Sequence, residues 1–216
     1  MNPFLPEIPF FCIHLERATE REAFMTHFQN NLGRPVNRWA ASEGSEIAKL
    51  GWPRRHPIDP QTNDGNLGCL DSHLRLLQHM LDKGYEVIGI FEDDAELTEP
   101  VARLHEFYEE AVKLEPKWDI LVLGATEWVD STLATPNIRK PTRFWGTHAL
   151  LVTRKAAQAA LDTHKRLQEK GYAYPADWFY SATISQNNLV AYGPRNCKLI
   201  QQKPGLVSAI SGKVRK

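Results

Sequence analysis

The sequence predicts an α/β domain built on a mostly parallel central sheet, and two observations carry this prediction. Short, nearly continuous apolar runs recur along the chain, as is typical of strands buried on both faces of a sheet. Segments with apolar residues at helical spacing separate these runs. Strands and helices that alternate in this way favour a parallel sheet covered by helices.

The first strand and the first helix lie near the start of the sequence. Residues 8–15 form the first apolar run, and apolar side chains at helical spacing follow as far as Leu32. Residues 19–22, Thr-Glu-Arg-Glu, have the spacing of a capping box, and Gly33 is a typical helix end. We therefore expect a strand, a short turn and a helix.

The second helix ends directly before the second strand. Leucines recur at helical spacing from Leu70 to Leu81, and the pattern stops at Gly84. Residues 85–91 then form an apolar run of strand length. The later elements predicted on the same grounds are a helix over residues 101–114, strands over 119–124 and 149–152, and helices over 155–170 and 176–185.

Two long polar segments interrupt this alternation. Residues 42–66 contain several prolines and few apolar side chains, and residues 127–143 show no clear strand or helix period. Long segments of this kind in a compact domain are usually functional loops. We expect both to border the functional site.

Length and composition limit the class of protein. At 216 residues and 42% hydrophobic content, the chain suits one well-cored domain, so we expect a single domain over residues 1–216, with 200–216 as a candidate flexible tail. Lys plus Arg and Asp plus Glu number 26 each, which gives no global charge that would favour nucleic acid. An anionic ligand must therefore be bound by local groups.

The cysteines and the ends of the sequence bear on location. Three widely spaced cysteines, Cys12, Cys69 and Cys197, fit neither a disulfide framework nor a Cys-x-x-Cys metal site and favour a reducing compartment. The sequence lacks a secretory signal and any run near the ~20 apolar residues of a membrane span. We expect a cytoplasmic protein whose basic residues 213–216 make at most peripheral contact with an anionic inner membrane, or are simply solvated.

Three carboxylates, Glu92, Asp93 and Asp94, directly follow the second strand. Ligands collect at the carboxyl ends of strands in such sheets, and adjacent acids repel one another unless a hard cation compensates them. We expect Glu92 and Asp94, two residues apart, to project the same way and to form a Mg²⁺ or Mn²⁺ site for a diphosphate. The alternative is that the acids open a solvated loop and help to start the helix after Pro100.

A second candidate group lies at the end of the first strand. His14, Arg17 and Arg21 occupy a turn into a helix, where backbone donors and a positive dipole favour an anion such as a nucleotide. The alternative is that Arg17 and Arg21 pair with Glu20 and Glu22 on an exposed helix.

A third candidate group opens the second helix. Gly65 and Gly68 permit close approach of a ligand to the backbone, and Ser72 and His73 follow them. A serine hydrolase is excluded because no nucleophile-elbow pattern surrounds Ser72 and adjacent helix residues do not face each other. As an alternative role, Ser72 or Asp71 caps the helix.

Two further residues are candidates for acid–base chemistry. His148 precedes a strand and would either bond a ligand or serve as a satisfied core histidine. Asp177 lies among the aromatic residues of 174–178 at a helix start, a setting that can tune a general base and stack a sugar ring. The competing interpretation is a plain helix-start charge.

Taken in order, these motifs resemble glycosyltransferase family 25, which includes lipooligosaccharide galactosyltransferases and the galactosyltransferase domains that act on collagen hydroxylysine. The resemblance runs from about residue 8 to 180. Each motif is common alone, but the ordered set is specific. The matching segments are residues 13–17 with Arg21, 65–73 (Gly-x-x-Gly-Cys-x-x-Ser-His), 91–94 (Glu-Asp-Asp), 119–124, 146–153 (Gly-Thr-His) and 175–177 (Pro-x-Asp).

The resemblance implies a GT-A (Rossmann-like) fold and an inverting, Mn²⁺- or Mg²⁺-dependent transfer of a hexose, usually from UDP-galactose or UDP-glucose, to an oligosaccharide or lipooligosaccharide acceptor. It implies a metal site at Glu92 and Asp94, and a catalytic base at Asp177, or else at His148. The residues implied in donor binding are His14, Arg17, Arg21, Gly65, Ser72, His73 and Glu92.

Two departures and two alternatives accompany this interpretation. His14 stands where the family usually has Asn, and no histidine follows His164, so Gln201 or Gln202, a diphosphate oxygen or water would complete the metal shell. The alternative functions are a non-catalytic nucleotide-sugar binding domain and a sugar nucleotidyltransferase. The absence of a Gly-rich, basic phosphate loop after the first strand argues against the latter.

Overall fold

A computed structural model of the chain describes residues 8–54, 63–197 and 199–206. The strands are β1 Phe10–His14, β2 Asn37–Ala40, β3 Val87–Glu92, β4 Ala95–Leu97, β5 Ile120–Gly124, β6 Glu127–Leu133, β7 Ile138–Trp145, β8 Ala149–Thr153, β9 Ala191–Pro194 and β10 Ile200–Gln202. The helices are α1 Glu22–Leu32, α2 Gly44–Lys49, α3 Asp64–Lys83, α4 Val101–Ala111, α5 Arg154–Glu169 and α6 Ala176–Gln186, and a 3₁₀ turn, Thr19–Arg21, precedes α1.

Eight strands form the central sheet in the order β2-β1-β3-β8-β5-β9-β7-β6. β1 is parallel to both β2 and β3, and β5 is parallel to β9. β8 lies antiparallel between β3 and β5. The predicted α/β class with a mostly parallel central sheet is confirmed, with β8 as an antiparallel insertion at its centre.

The side chains of β3 alternate between two cores, one on each face of the sheet. Ile88 and Ile90 pack with side chains of α3, α5 and α6, whereas Phe91 packs with Phe10 and with Phe28 of α1. Alternation along a strand places the next residue, Glu92, back on the α3 and α6 face. This register decides which neighbours Glu92 meets. Glu92 is the first of the three carboxylates, Glu92, Asp93 and Asp94, that we call the acid cluster.

The predicted ends of α1 and α3 are confirmed, whereas α3 starts earlier than predicted. α1 and α3 end at Gly33 and Gly84, whose φ angles of 69° and 74° are left-handed values that favour glycine. α3 begins at Asp64, where the side chain of Asn63 accepts a hydrogen bond from the backbone N–H of Asn66 at 2.8 Å. Ser72 and Asp71 therefore lie inside α3 rather than at its cap.

The capping box predicted over residues 19–22 is wrong. The chain enters a short 3₁₀ turn at Thr19, and no side chain caps either this turn or the start of α1. Arg21 occupies the cap position of α1 and is buried. A buried arginine at that point needs an acidic partner, which the acid cluster provides.

The prediction of a loop over residues 127–143 is also wrong, because β6 and β7 form an antiparallel hairpin there. Most of its side chains are at least partly exposed, and the buried Ile138 and Phe144 are too widely spaced to produce a strand-like apolar run. In the other polar segment, residues 44–49 form the short helix α2, and residues 55–62 lie outside the described part of the chain.

The predicted tail begins with a strand. β10 pairs antiparallel with β4, the strand that directly follows the acid cluster in the chain. Residues 207–216, which include the basic segment 213–216, lie outside the described residues. Within the described ranges, none of the helices combines the length and apolar character that a membrane crossing requires.

Candidate active site at the carboxyl end of β3

A cleft opens at the carboxyl ends of β1 and β3. The turn after β1, residues 41–44, the first half of α3 and the acid cluster line it. Three segments that the sequence analysis singled out separately therefore meet here. The predicted site residues on its wall are Arg17, Arg21, Gly65, Ser72, Glu92 and Asp94; His14, His73, His148 and Asp177 lie outside its lining.

Asp93 is buried and is held by two side chains from the β1–α1 region. One carboxylate oxygen lies 2.9 Å from Nδ1 of His14, and the other accepts a hydrogen bond from the guanidinium of Arg21. The same guanidinium nitrogen lies 3.9 Å from Oδ2 of Asp94. Arg21 is thus an internal counter-ion of the acid cluster, and the alternative of an exposed helix pair does not apply to it.

Arg17 remains at the surface of the cleft. Its Nε donates to the carboxylate of Glu43 at 2.8 Å, and both side chains are exposed. An exposed pair of this kind contributes little to stability and exchanges readily for another anion.

Glu92 lies on the face of the sheet that α3 and α6 cover, opposite the face on which Phe91 packs. Its Oε1 accepts a hydrogen bond of 2.7 Å from the hydroxyl of Thr147 and lies 3.6 Å from Nε2 of the buried His73. Burial alone would raise the pKa of Glu92, but the interactions with His73 and Thr147 outweigh it and lower the pKa to about 2. Glu92 is therefore ionised at neutral pH.

Glu92 and Asp94 both line the cleft but have different neighbours. Glu92 is the last residue of β3, whereas Asp93 and Asp94 form a turn into β4, so the two-residue alternation stops between them. The backbone carbonyl of Asp94 accepts a hydrogen bond of 2.7 Å from the N–H of Lys203, which follows β10. In this turn Asp93 and Asp94 both lie near Arg21, whereas Glu92 is held by other side chains.

Asp177 lies at the start of α6 and is tied to the turn between β7 and β8. Its carboxylate accepts hydrogen bonds from the backbone N–H groups of Gly146 at 3.2 Å and Trp178 at 2.8 Å. Burial raises the pKa of Asp177, and these two backbone donors oppose the rise only in part. Because Thr147 bonds Glu92, the dipeptide Gly146–Thr147 links Asp177 to the acid cluster.

His148 is fully buried behind this turn. Its Nε2 lies 3.1 Å from the carbonyl oxygen of Ile200, which can only accept, so Nε2 carries the proton. A Cβ atom on Gly124 would lie 2.5 Å from the same nitrogen, which shows how closely the ring packs. These contacts hold the ring in the core through Nε2.

Gly68 and Ser72 shape the wall of the cleft. A Cβ atom on Gly68 would lie 2.6 Å from the backbone oxygen of Ser42 and 2.8 Å from the backbone nitrogen of Gly44. The close approach that Gly68 permits is therefore made by the backbone of residues 42–44 rather than by a ligand. The Ser72 hydroxyl accepts from the backbone N–H of Ser42 at 2.8 Å and donates to the carbonyl of Gly68 at 2.6 Å. Both residues fix residues 42–44 against α3.

The sequence profile of glycosyltransferase family 25, described as an LPS biosynthesis protein family, matches residues 7–180. The chain belongs to glycosyltransferase family 25. A curated relative, the lacto-N-neotetraose biosynthesis glycosyltransferase LgtB of Neisseria meningitidis serogroup A, is 26% identical over 182 residues. The match covers 77% of this chain and 64% of LgtB, so the chain spans somewhat less than two thirds of that relative's length.

Two solved structures are similar to this family 25 chain in fold. One is a glycosyltransferase involved in glycosylation of the major capsid of PBCV-1, with 10% identity, a TM-score of 0.45 and coverage of 85% of this chain and 76% of that one. The other is a UDP-glucose pyrophosphorylase complexed with UDP-glucose, with 7% identity, a TM-score of 0.46 and coverage of 91% of each chain.

Several residues at this candidate site were not predicted from the sequence. Thr147 lies inside the Gly-Thr-His motif, in which the histidine carries the more obvious chemistry. Tyr180 and Trp145 carry no local signal beyond their aromatic character, because only the folded chain brings α6 and β7 to the acid cluster. Cys69 lies four residues before the predicted residue His73, a helical spacing that places both on one face and from which Cys69 could have been found.

Proposed function

We propose that this chain is an inverting, metal-dependent glycosyltransferase that moves a hexose, galactose in the first instance, from a UDP-sugar to a hydroxyl group of a lipooligosaccharide-type acceptor. Family membership supports the reaction class, and the name of LgtB supports the kind of product. One observation carries the catalytic assignment: the Gly146–Thr147 turn bonds Asp177 on one side and Glu92 on the other.

The donor would occupy the cleft at the carboxyl ends of β1 and β3. Its diphosphate would displace Glu43 from Arg17, because an exposed guanidinium binds phosphate with two parallel hydrogen bonds. Gly65 lies in the first turn of the 20-residue helix α3, whose amino end favours negative charge. His14 is buried and contacts Asp93, so it would support the donor site by holding Asp93 in place without touching the nucleotide.

The acid cluster fits a hard divalent cation. Glu92, Asp93 and Asp94 bring three carboxylates to one strand end, whereas Arg21 supplies one positive charge to the Asp93–Asp94 pair. Carboxylate oxygens are the ligands that Mg²⁺ and Mn²⁺ prefer. Asp94 would bind the ion, and Glu92 would bind it directly, through a metal-bound water, or reach the ribose instead. When bound, the cation offsets charge on the diphosphate of the departing UDP.

The acceptor would approach along the aromatic side of Asp177. The rings of Trp145 and Trp178 lie 5.2 Å apart, and the guanidinium of Arg143 lies 5.5 Å from the Trp178 ring centre. Partly exposed indole rings provide an apolar face on which a sugar ring stacks. This platform flanks the carboxylate that would receive the acceptor proton.

In the proposed reaction, the acceptor oxygen forms a bond to the anomeric carbon while the bond from that carbon to UDP breaks. Asp177 takes the proton of the attacking hydroxyl, and UDP leaves with the bonding electron pair. Attack from the side opposite UDP inverts the anomeric configuration. The raised pKa of Asp177 makes its carboxylate a stronger base than a solvated aspartate.

A transfer assay tests this proposal. The chain would be incubated with UDP-galactose, UDP-glucose and other nucleotide sugars, with Mn²⁺ or with chelator, and with fluorescently labelled oligosaccharides of the lipooligosaccharide type. We expect metal-dependent elongation with UDP-galactose as the best donor, and a product of inverted anomeric configuration by NMR.

Two results would contradict the proposal. Tight UDP binding without transfer to any acceptor would indicate a non-catalytic nucleotide-sugar binding domain. Release of pyrophosphate from UTP and a hexose 1-phosphate would indicate a nucleotidyltransferase.

A further inference from the structure

Three side chains with different ligand chemistry meet on the α3 side of Glu92. Cys69 and His73 lie four residues apart on one face of α3, and Glu92 ends the strand that packs against this face. One ligand atom from each of the three lies within 4.8 Å of the other two. Glu92 is shared with the acid cluster, but Asp94 is not a member of this group, so in this proposal Glu92 serves the sulfur-containing site and Asp94, with diphosphate oxygens, serves Mg²⁺ or Mn²⁺.

We propose that Cys69, His73 and Glu92 form a second metal site that binds a zinc-type divalent cation. A thiolate, an imidazole nitrogen and a carboxylate oxygen are the three ligand types that proteins use for Zn²⁺. Mg²⁺ and Mn²⁺ prefer oxygen ligands, so the sulfur of Cys69 separates this site chemically from the acid cluster. A thiolate and a carboxylate together also balance the charge of one divalent ion.

The environment of His73 supports a cation at this point. Its Nε2 is fully buried, makes no hydrogen bond to the described residues and lies 3.6 Å from Oε1 of Glu92. Its Nδ1 lies 3.2 Å from the hydroxyl oxygen of Tyr180. If Nδ1 carries the proton and donates to Tyr180, the Nε2 lone pair faces a carboxylate, which is repulsive unless a cation lies between them.

With Nε2 protonated, as a neutral ring or as an imidazolium, His73 forms only a loose pair with Glu92 at 3.6 Å, and the cobalt titration below separates this pair from a bound ion. If Tyr180 donates to Nδ1, then Nε2 carries the proton, but 3.6 Å is too long for a good hydrogen bond to Glu92. A metal ion accepts the lone pair and satisfies both Nε2 and the carboxylate. Metal-binding histidines typically donate their second ring N–H to a neighbouring oxygen, the role that the hydroxyl of Tyr180 would take.

The distances suit a tetrahedral ion after small side-chain rotations. Zinc bonds of ~2.0 to 2.3 Å imply ligand-to-ligand separations of about 3.3–3.7 Å in a tetrahedron. The His73–Glu92 separation of 3.6 Å already falls in this range, and 4.8 Å is the upper limit for the rest. Because Cys69 and Glu92 line the cleft, the fourth position would open toward the donor.

Cobalt titration of the reduced protein tests the proposal, since Co²⁺ replaces Zn²⁺ and reports a bound thiolate by an intense near-ultraviolet charge-transfer band. We expect the wild-type chain to bind one equivalent of Co²⁺ with this band, and Zn²⁺ to displace it. Cys69→Ser should lose the band and weaken binding by about 10-fold or more, because a ligand is removed. The matched thiol control, Cys197→Ser, should retain both the charge-transfer band and the affinity for Co²⁺.

Two further measurements separate this site from the acid cluster and from misfolding. Asp94→Asn should keep the cobalt band even if it loses Mn²⁺-dependent transfer, so the two sites can fail independently. X-ray absorption of the zinc-loaded wild type should show one sulfur ligand, and this needs no variant. A wild-type chain without the band, a band that persists in Cys69→Ser, or a band lost in Asp94→Asn would overturn the proposal.

Discussion

Asp93 and Asp94 are adjacent in the chain, yet their surroundings give them different roles. Asp93 is held by His14 and Arg21 inside the protein, so its carboxylate stabilises the turn after β3. Asp94 shares the same arginine at the longer distance of 3.9 Å, and both residues line the cleft. The proposed function assigns the metal to Asp94 because Arg21 bonds Asp93 directly.

The Asp93–Arg21 pair should contribute strongly to stability. Asp93→Ala would leave a buried guanidinium without its main carboxylate partner, so we expect the free energy of unfolding to fall by about 3 kcal/mol in urea titrations. The control is Glu43→Ala, which breaks the exposed pair with Arg17 and should cost less than about 1 kcal/mol. Equal losses in the two variants would show that burial does not distinguish the pairs.

Asp177 should determine the acid limb of the pH–rate profile. Its active form is the carboxylate and burial raises its pKa, so turnover should fall as the pH drops through a value above the ordinary ~3.9 of aspartate. Asp177→Asn should lower kcat about 10²-fold or more, abolish this limb and leave UDP affinity unchanged. Wild-type turnover in the variant would move the base to another residue.

Elements with continuous apolar runs were predictable from the sequence, whereas strands held mainly by pairing with neighbouring strands were not. β5 and β8 carry four consecutive apolar residues, β3 carries four apolar residues around Gly89, and α3 carries a leucine stripe that ends at a glycine. β2 and β6 expose most of their side chains, and β7 buries only Ile138, Pro141 and Phe144, so their sequences give little strand signal. Tertiary pairing, rather than local propensity, decides such strands.

The packing of α2 against α3 depends on glycine. Gly68→Ala would place a Cβ atom 2.6 Å from the backbone oxygen of Ser42, and backbone cannot rotate away as a side chain can. We expect a loss of about 1–3 kcal/mol in unfolding free energy and weaker UDP binding by calorimetry, because residues 42–44 form a wall of the cleft.

A second glycine provides the control for this experiment. Gly33→Ala introduces strain at a left-handed helix end with open space around it, away from the residues that line the cleft. It should lower stability by about 1 kcal/mol and leave UDP affinity unchanged. If both variants bind UDP as the wild type does, residues 42–44 do not contribute to the donor site.

At the scale of the whole molecule, the antiparallel strand β8 assembles the site. It lies beside β3, and the backbone N–H of Glu92 donates to the carbonyl of His148 at 3.0 Å. This pairing brings the β7–β8 turn, and through it Asp177, to the acid cluster. The sequence motifs identified the participating segments, but strand direction and order determine that Thr147, rather than His148, faces Glu92.

The central claim is that the acids at the end of β3 hold a divalent cation together with the donor diphosphate. Electron paramagnetic resonance of free Mn²⁺, titrated with the protein in the presence and absence of UDP, measures this directly. We expect the wild type to bind Mn²⁺ more tightly when UDP is present, and Asp94→Asn to lose this UDP-dependent binding by about 10-fold or more. Identical Mn²⁺ binding by the wild type and Asp94→Asn, with UDP still bound, would contradict the account.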